Sequence, residues 1–186
     1  MGMLILASAS PRRAELLAAA GFAFEVVPQR VDETPRDGES AEAYVLRVAW
    51  EKVHSACRKS GTTVIGADTV VLVDGLVLGK PADAAEAAAM LKRLSGRDHD
   101  VLTGVAVGGR EEVGELARTT VRFLPLTDED IAWYAASGEP LDKAGGYAIQ
   151  GLASRFVERI DGSYSNVVGL PIAVVCRLLR RLGVRA

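Results

Sequence analysis

A chain of 186 residues that is 49% hydrophobic suits one compact α/β domain or two lobes sharing a core. Lys+Arg number 22 against 24 Asp+Glu, for a net charge of −2, and aromatic residues are 5%, so neither a basic stripe nor a stacking platform for a nucleic-acid polymer is present and any cationic function must be local. No apolar run reaches the roughly 18 residues of a membrane span and no charged segment leads into a long apolar one, so the chain reads as a soluble cytoplasmic protein without a membrane partner.

Leu4–Ala7 is a short apolar run that predicts a buried strand. Ser10 then offers an N-cap, Pro11 fits the first helical position, Leu16, Leu17 and Ala20 form an apolar stripe, and Gly21 ends the helix. That helix carries Arg12 and Arg13 in its first turn, where the macrodipole is positive and each cation costs roughly 0.3–1 kcal/mol. Phe22–Val27 predicts a second strand, and the polar stretch from Pro28 to Ser40 a loop containing "VDETP". Ser40 caps a long helix expected through about Arg58, with Tyr44, Val45, Val48, Trp50 and Val53 on a mostly apolar face. Thr62–Val73 is rich in β-branched residues and broken by "GAD", and "DGLVLGKP" follows as a hairpin-like turn. Asp83–Leu94 predicts a helix, Val101–Val107 and Glu115–Phe123 two strands joined by a glycine-rich turn, and Thr127 caps a helix through about Ala136. "SGEPLDKAGGYAIQG" is a loop, Arg155–Ile160 a strand, "DGSYSNVVGLP" another loop, and Ile172–Leu182 the terminal helix. Cys57 and Cys176 belong to no CxxC pair and read as two buried thiols. Mixed strands and helices without repeats argue an α/β architecture.

The polar residues left over by these elements are the candidates for chemistry. Ser8, Ser10, Arg12 and Arg13 surround a helix start, which favours anions, and an arginine fork there suits phosphate; the alternative is two solvated surface arginines. Asp68 follows an apolar run and a glycine and could hold a divalent cation or take a proton from water; the alternative is a turn aspartate capping its own backbone. Lys80 in "LVLGKP" is no Walker A lysine, because Pro81 stands where Ser or Thr is required, yet it can meet phosphate as a point charge. Glu33 is a possible second metal-bridging carboxylate, with Asp32 as its competitor, and Lys52 lies in the long helix where a solvated face is the default. Lys143 and Gln150 share the glycine-rich "DKAGGYAIQG" loop, and a Gln amide can both donate to and accept from a base edge. His54 and His99 have no evident partners and receive no role.

In order along the chain, "SASPRR", "VDE", "GADTVV", "LGKP", "LTGV", "GEPLDKAGGYAIQG" and "GSYSNVVGLP" resemble the Maf family of nucleoside-triphosphate pyrophosphatases over nearly the whole length. The resemblance implies one Maf-type domain over residues 1–186, with a two-lobed α/β fold, a twisted mixed sheet, flanking helices and a central cleft, as in inosine triphosphatases. It also implies hydrolysis of a nucleoside triphosphate to the monophosphate and pyrophosphate with Mg²⁺ or Mn²⁺. Asp68 matches the family's proton acceptor, and Arg12, Thr69 and Gln150 match positions linked to base choice. Glu33, Lys52 and Lys80 match polar positions of the cleft; Glu33 joins Asp68 as an expected metal ligand, and Ser8, Arg13 and Lys143 complete the expected substrate-binding set. Thr after the catalytic aspartate and the "AIQG" loop resemble the branch that acts on dTTP and UTP, whereas a sister branch acting on 7-methyl-GTP has Gln after that aspartate. Family members often pair, so a homodimer is expected. Two other readings remain: a pyrophosphatase of deaminated purine nucleotides, and a nucleotide-binding regulator of septum formation.

Overall fold

The computed structural model describes residues 3–56 and 61–184. Among them lie seven strands and six α-helices: β1 (Leu4–Leu6), α1 (Pro11–Ala19), β2 (Glu25–Val26), α2 (Ala41–Ser55), β3 (Thr63–Val73), β4 (Leu76–Leu78), α3 (Ala84–Leu94), β5 (Asp98–Gly108), β6 (Glu112–Phe123), α4 (Asp128–Ala136), β7 (Val157–Asp161), α5 (Tyr164–Val168) and α6 (Ile172–Arg181). The strands form a mixed sheet of order β2-β1-β3-β5-β6-β7, with β4 paired to β3. Pairing is parallel at β1–β2 and β1–β3, and antiparallel at β3–β4 and β6–β7. No helix among the described residues is long and apolar enough to cross a membrane.

The chain divides into two compact units, one of Met1–Thr69, Thr103–Ala117 and Gly169–Ala186, the other of Val70–Leu102 and Arg118–Val168. In the first unit β1 and the parts of β3 and β5 it contains are covered on both faces, which is why they read as unbroken apolar runs rather than alternating ones. Ile5, Ala7, Val64 and Ala106 pack with Ala49 and Val53 of α2. The alternate residues Leu4, Leu6, Ile65, Ala67, Val105 and Val107 pack with Leu17 of α1 and Val174, Val175, Leu178 and Leu179 of α6. Two glycines bring α2 close. A Cβ on Gly66 would stand 2.3 Å from the Ala49 carbonyl oxygen, and one on Gly104 would stand 2.4 Å from that of Val45.

The second unit is built from local rules the sequence already carries. Val73 pairs with Leu76 across Asp74 (φ 49°) and Gly75 (φ 76°), the two left-handed residues that a tight two-residue hairpin requires. Asp83 caps α3 by accepting from the Glu86 amide, and Thr127 with Asp130 forms a reciprocal capping box on α4. Its core gathers Leu91, Leu94, Val101, Val121, Phe123, Tyr134, Tyr147 and Phe156.

Four expectations change. β3 runs unbroken through Gly66, Ala67 and Asp68, so Asp68 is a strand residue and not a turn aspartate. β2 shrinks to two residues. The stretch expected as a loop after β7 contains the short helix α5, whose buried Asn166 donates Nδ2 to Val101 O and Thr119 Oγ1, both at 3.0 Å. Cys176 is half-buried, not buried, and Cys57 lies outside the described residues, as does the expected helix end near Arg58.

His99 on β5 sets one pH dependence of stability. It is buried edge-on against Phe123 and Tyr147, with Nε2 2.9 Å from the Tyr147 hydroxyl. Burial lowers its pKa from 6.5 to about 4, against the opposing pull of Asp100 and Asp98. The unfolded chain therefore binds a proton between pH 6.5 and 4 that the folded chain refuses, and stability falls as pH drops through that window. Urea unfolding at pH 7 and pH 4.5 should show the loss shrink by about 2 kcal/mol in His99→Gln relative to the wild type. An equal loss in both proteins would exclude His99 as the cause.

Candidate active site

β1 ends at Leu6, and its last ladder contact is the Ala7 amide on the Ile65 carbonyl at 2.8 Å. β3 continues past that point, so its next residues present backbone and side chains that β1 does not cover. Strand alternation puts Asp68 on the face of Val64 and Gly66, toward α2, and Thr69 on the face of Ile65 and Ala67, toward α1 and α6. On α2, Lys52 lies three residues after Ala49, the residue seated on Gly66, and so projects along the same helix face.

The result is a compact ionic group. Lys52 Nζ lies 2.8 Å from Asp68 Oδ1, 2.8 Å from Glu33 Oε1 and 3.3 Å from the Ala67 carbonyl oxygen, which gives each of its three N–H groups an acceptor. The Lys52 and Asp68 side chains are 8% and 10% exposed, whereas Glu33 is 49% exposed, so the group opens to solvent at Glu33. Tyr44 stands close by, and burial with the neighbouring Asp68 and Glu33 charges pushes its hydroxyl up to about 12.

On the opposite face Arg13 reaches the same carbonyl. Its Nη1 donates to Ala67 O at 2.8 Å and to Ser8 Oγ at 3.3 Å, its Nε to Gly169 O at 2.8 Å, and its Nη2 to Thr69 Oγ1 at 3.0 Å. The Thr69 hydroxyl also lies 2.9 Å from Thr103 Oγ1 and 3.3 Å from Gly169 O. Burial lowers the Arg13 pKa from its ordinary value, opposed by the Asp68 and Glu33 carboxylates. Four of the five guanidinium N–H groups are thus given to the scaffold, so Arg13 is no solvated surface cation: it is buried and ties α1, β3 and Gly169 together. Arg12, its half-buried neighbour, is the arginine at the helix start that is not so enclosed. Ser8 is buried, its oxygen accepting from the Ser10 amide at 3.2 Å as well as from Arg13. Ser10 itself gives α1 no side-chain cap, which leaves the helix start suited to an anion.

Lys80, Lys143 and Gln150 belong to the second unit, where the "LGKP" and "DKAGG" turns are joined by the Gly145 amide on the Gly79 carbonyl at 2.9 Å. Lys80 is exposed beside that bond, and Lys143 Nζ donates to Glu139 O at 2.6 Å and to Asp142. Gln150 is exposed between two anchored amides: Ala148 N donates to Tyr134 Oη at 3.1 Å and Leu152 N to Glu139 Oε2 at 3.1 Å, while the Tyr134 hydroxyl donates to Glu139 Oε1 at 2.8 Å. The loop needs its glycines for space. A Cβ on Gly145 (φ +69°) would meet Val71 at 2.6 Å, and one on Gly151 would meet the Glu139 carboxylate at 2.3 Å.

Sequence reasoning passed over Glu139, Tyr134, Tyr44 and Arg47. The last two hold the loop that carries Glu33: Tyr44 Oη donates to Glu33 O at 2.8 Å, and Arg47 reaches the carbonyls of Asp32 and Thr34. Their only signal is i, i+3 spacing on α2 with Glu51 a turn further on.

The donor set suits a hard divalent cation. Asp68 and Glu33 converge on one cationic group, and such ions are commonly held by one or two carboxylates together with substrate phosphates. Among the described residues no cluster of three or more His, Cys, Asp or Glu side chains could form an all-protein cage.

The chain matches the Maf family, described as Maf-like protein, over residues 3–182. It is 56% identical over 182 residues to a dTTP/UTP pyrophosphatase of Myxococcus xanthus, covering 97% of this chain and 93% of the relative. It is 52% identical over 186 residues to a dTTP/UTP pyrophosphatase of Geobacter sulfurreducens, covering 98% and 97%. Among solved structures, a HAM1 protein from Coxiella burnetii is similar with a TM-score of 0.55 at 15% identity, over 97% of this chain and 100% of that one, which speaks for the α/β fold alone. The ordered motifs and the full-length match agree with each other from "SASPRR" to the terminal helix, and this chain belongs to the Maf family.

Proposed function

We propose that the protein is a cytoplasmic nucleoside triphosphate pyrophosphatase that cleaves dTTP and UTP to the monophosphate and pyrophosphate. The observation that carries this reading is the convergence of Asp68 and Glu33 on the Lys52 ammonium, in a chain more than half identical to relatives named for that reaction. Asp68 accepts the proton of a water whose oxygen forms the new bond to the α-phosphorus. The bond from that phosphorus to the bridging oxygen breaks, and pyrophosphate departs with the electron pair. Lys52 fixes the Asp68 carboxylate and adds positive charge where the phosphates lie. The uncapped start of α1 and Arg12 receive phosphate oxygens, while Arg13 holds Ser8, Ala67, Thr69 and Gly169 in place around them. Lys80 and Lys143 are substrate-binding cations, and Gln150 with Thr69 accounts for the choice of base. Asp68 and Glu33 would hold Mg²⁺ or Mn²⁺, which when bound offsets phosphate charge and lowers the pKa of a coordinated water.

A panel of dTTP, UTP, CTP, dITP and 7-methyl-GTP, scored by released pyrophosphate, tests the reading. The expected result is kcat/KM highest for dTTP and UTP. Faster cleavage of dITP or 7-methyl-GTP would replace the pyrimidine assignment with a purine one.

A further inference from the structure

Glu33 lies in a stretch, from Val27 to Ser40, that forms no helix or strand, yet its carboxylate is held 2.8 Å from Lys52. What aims it is α2. Three consecutive carbonyls are taken by side chains of that helix: Asp32 O by Arg47 Nη1 at 3.5 Å, Glu33 O by Tyr44 Oη at 2.8 Å, and Thr34 O by Arg47 Nη2 at 3.1 Å. The Thr34 amide donates to Asp32 Oδ1 at 2.9 Å and closes the turn. Arg47 is itself fixed. Its Nε and Nη2 grip the two Glu39 oxygens at 2.6 and 2.8 Å, its Nη1 lies 3.1 Å from Glu51 Oε1, and only 14% of the side chain is exposed. A planar fork of five donors can serve two carboxylates and two carbonyls at once, which an ammonium cannot.

We infer that Arg47 is a positioning residue that sets the Glu33 carboxylate against Lys52 by clamping the backbone of residues 32–34. One helix thereby carries both Lys52 and the clamp that delivers its partner, so the spacing of the pair is fixed within a single rigid element. The inference rests on the proposal that Glu33 serves the reaction.

Four proteins test it: wild type, Glu33→Gln, Arg47→Met and the double variant. Each is assayed for kcat with dTTP and for Mn²⁺ binding without nucleotide, followed by the electron paramagnetic resonance of free Mn²⁺. Arg47→Met should cost about 10-fold or more in kcat and in Mn²⁺ affinity, the range found when partners of metal-site ligands are removed. In the Glu33→Gln background the same change should cost less than about 2-fold, because what it positions is gone. Arg47→Lys should restore little of the loss, lacking the fork. Should Arg47→Met prove too unstable, Tyr44→Phe removes one clamp bond, and its smaller loss should likewise vanish in the Glu33→Gln background. Wild-type behaviour of Arg47→Met, or losses that multiply in the double variant, would overturn the positioning role. Glu33→Gln with unchanged kcat and Mn²⁺ affinity would instead overturn the site reading on which it stands.

Discussion

Asp68→Asn is expected to lower kcat for dTTP by about 10²-fold or more, the contribution typical of a lost general base, while KM stays within a few-fold of wild type. The amide keeps the shape of the carboxylate, and its oxygen can still accept from Lys52 at the observed 2.8 Å. What it cannot do is take a proton from water. The electrostatics spare the fold in this substitution. In the native group two carboxylates face one ammonium, so removing the Asp68 charge leaves Lys52 paired with Glu33 and no buried charge uncompensated. Removing Lys52 would do the reverse and leave two carboxylates facing each other. The variant should therefore fold with nearly unchanged melting temperature, and the loss should appear in single-turnover pyrophosphate formation in quenched samples, where binding and product release do not limit the rate. A folded Asp68→Asn protein that releases pyrophosphate at near wild-type rate would remove Asp68 from the chemistry.

The parts of this architecture that depend on neighbours in sequence are legible in it. Pro11 opens α1, Ser40, Asp83 and Thr127 cap their helices, and Asp74-Gly75 turns the hairpin. The parts that depend on distant residues are not. "GAD" looks like a break because Gly and Asp have low strand propensity, yet Gly66 is there to admit the Ala49 carbonyl, and the strand passes through. Lys52 looks like a solvated helix residue until α2 is seated on β3, whereupon it is buried with two carboxylates. Arg13 invites a phosphate reading because nothing near it in sequence needs a guanidinium. Its Nε partner, the Gly169 carbonyl, is 156 positions away. The residue types at Glu33, Lys52 and Asp68 thus mark the group, but tertiary packing alone distinguishes Arg13, which ties the frame, from Arg12. The hold of Arg47 and Tyr44 on the Glu33 loop is hidden for the same reason: it is made to loop carbonyls, which carry no residue-type signature.

The glycines beneath α2 make the second large prediction. In Gly104→Ala the new Cβ would stand 2.4 Å from Val45 O, 2.5 Å from Val45 C and 2.7 Å from Leu46 N, all backbone atoms of α2. No rotamer change relieves a clash with backbone, so the helix must lift by about an ångström, and overpacking of this kind costs about 1–3 kcal/mol or more. For a chain of this length that corresponds to a fall in melting temperature of about 3–10 °C. Gly79→Ala is the stability control, since a Cβ there meets nothing within 4 Å. Activity should fall together with stability, because Lys52 and Arg47 ride on the displaced helix while Asp68 stays on the strand. The Lys52–Asp68 contact is 2.8 Å, and an ångström of separation turns a charge-assisted hydrogen bond into a loose ion pair. Calorimetry gives the first effect, and kcat measured well below the lowered melting temperature gives the second. A Gly104→Ala protein as stable as Gly79→Ala would mean that α2 is not seated on β5 at van der Waals distance. Lost stability with intact kcat would mean instead that the ionic group tolerates movement of the helix that bears it.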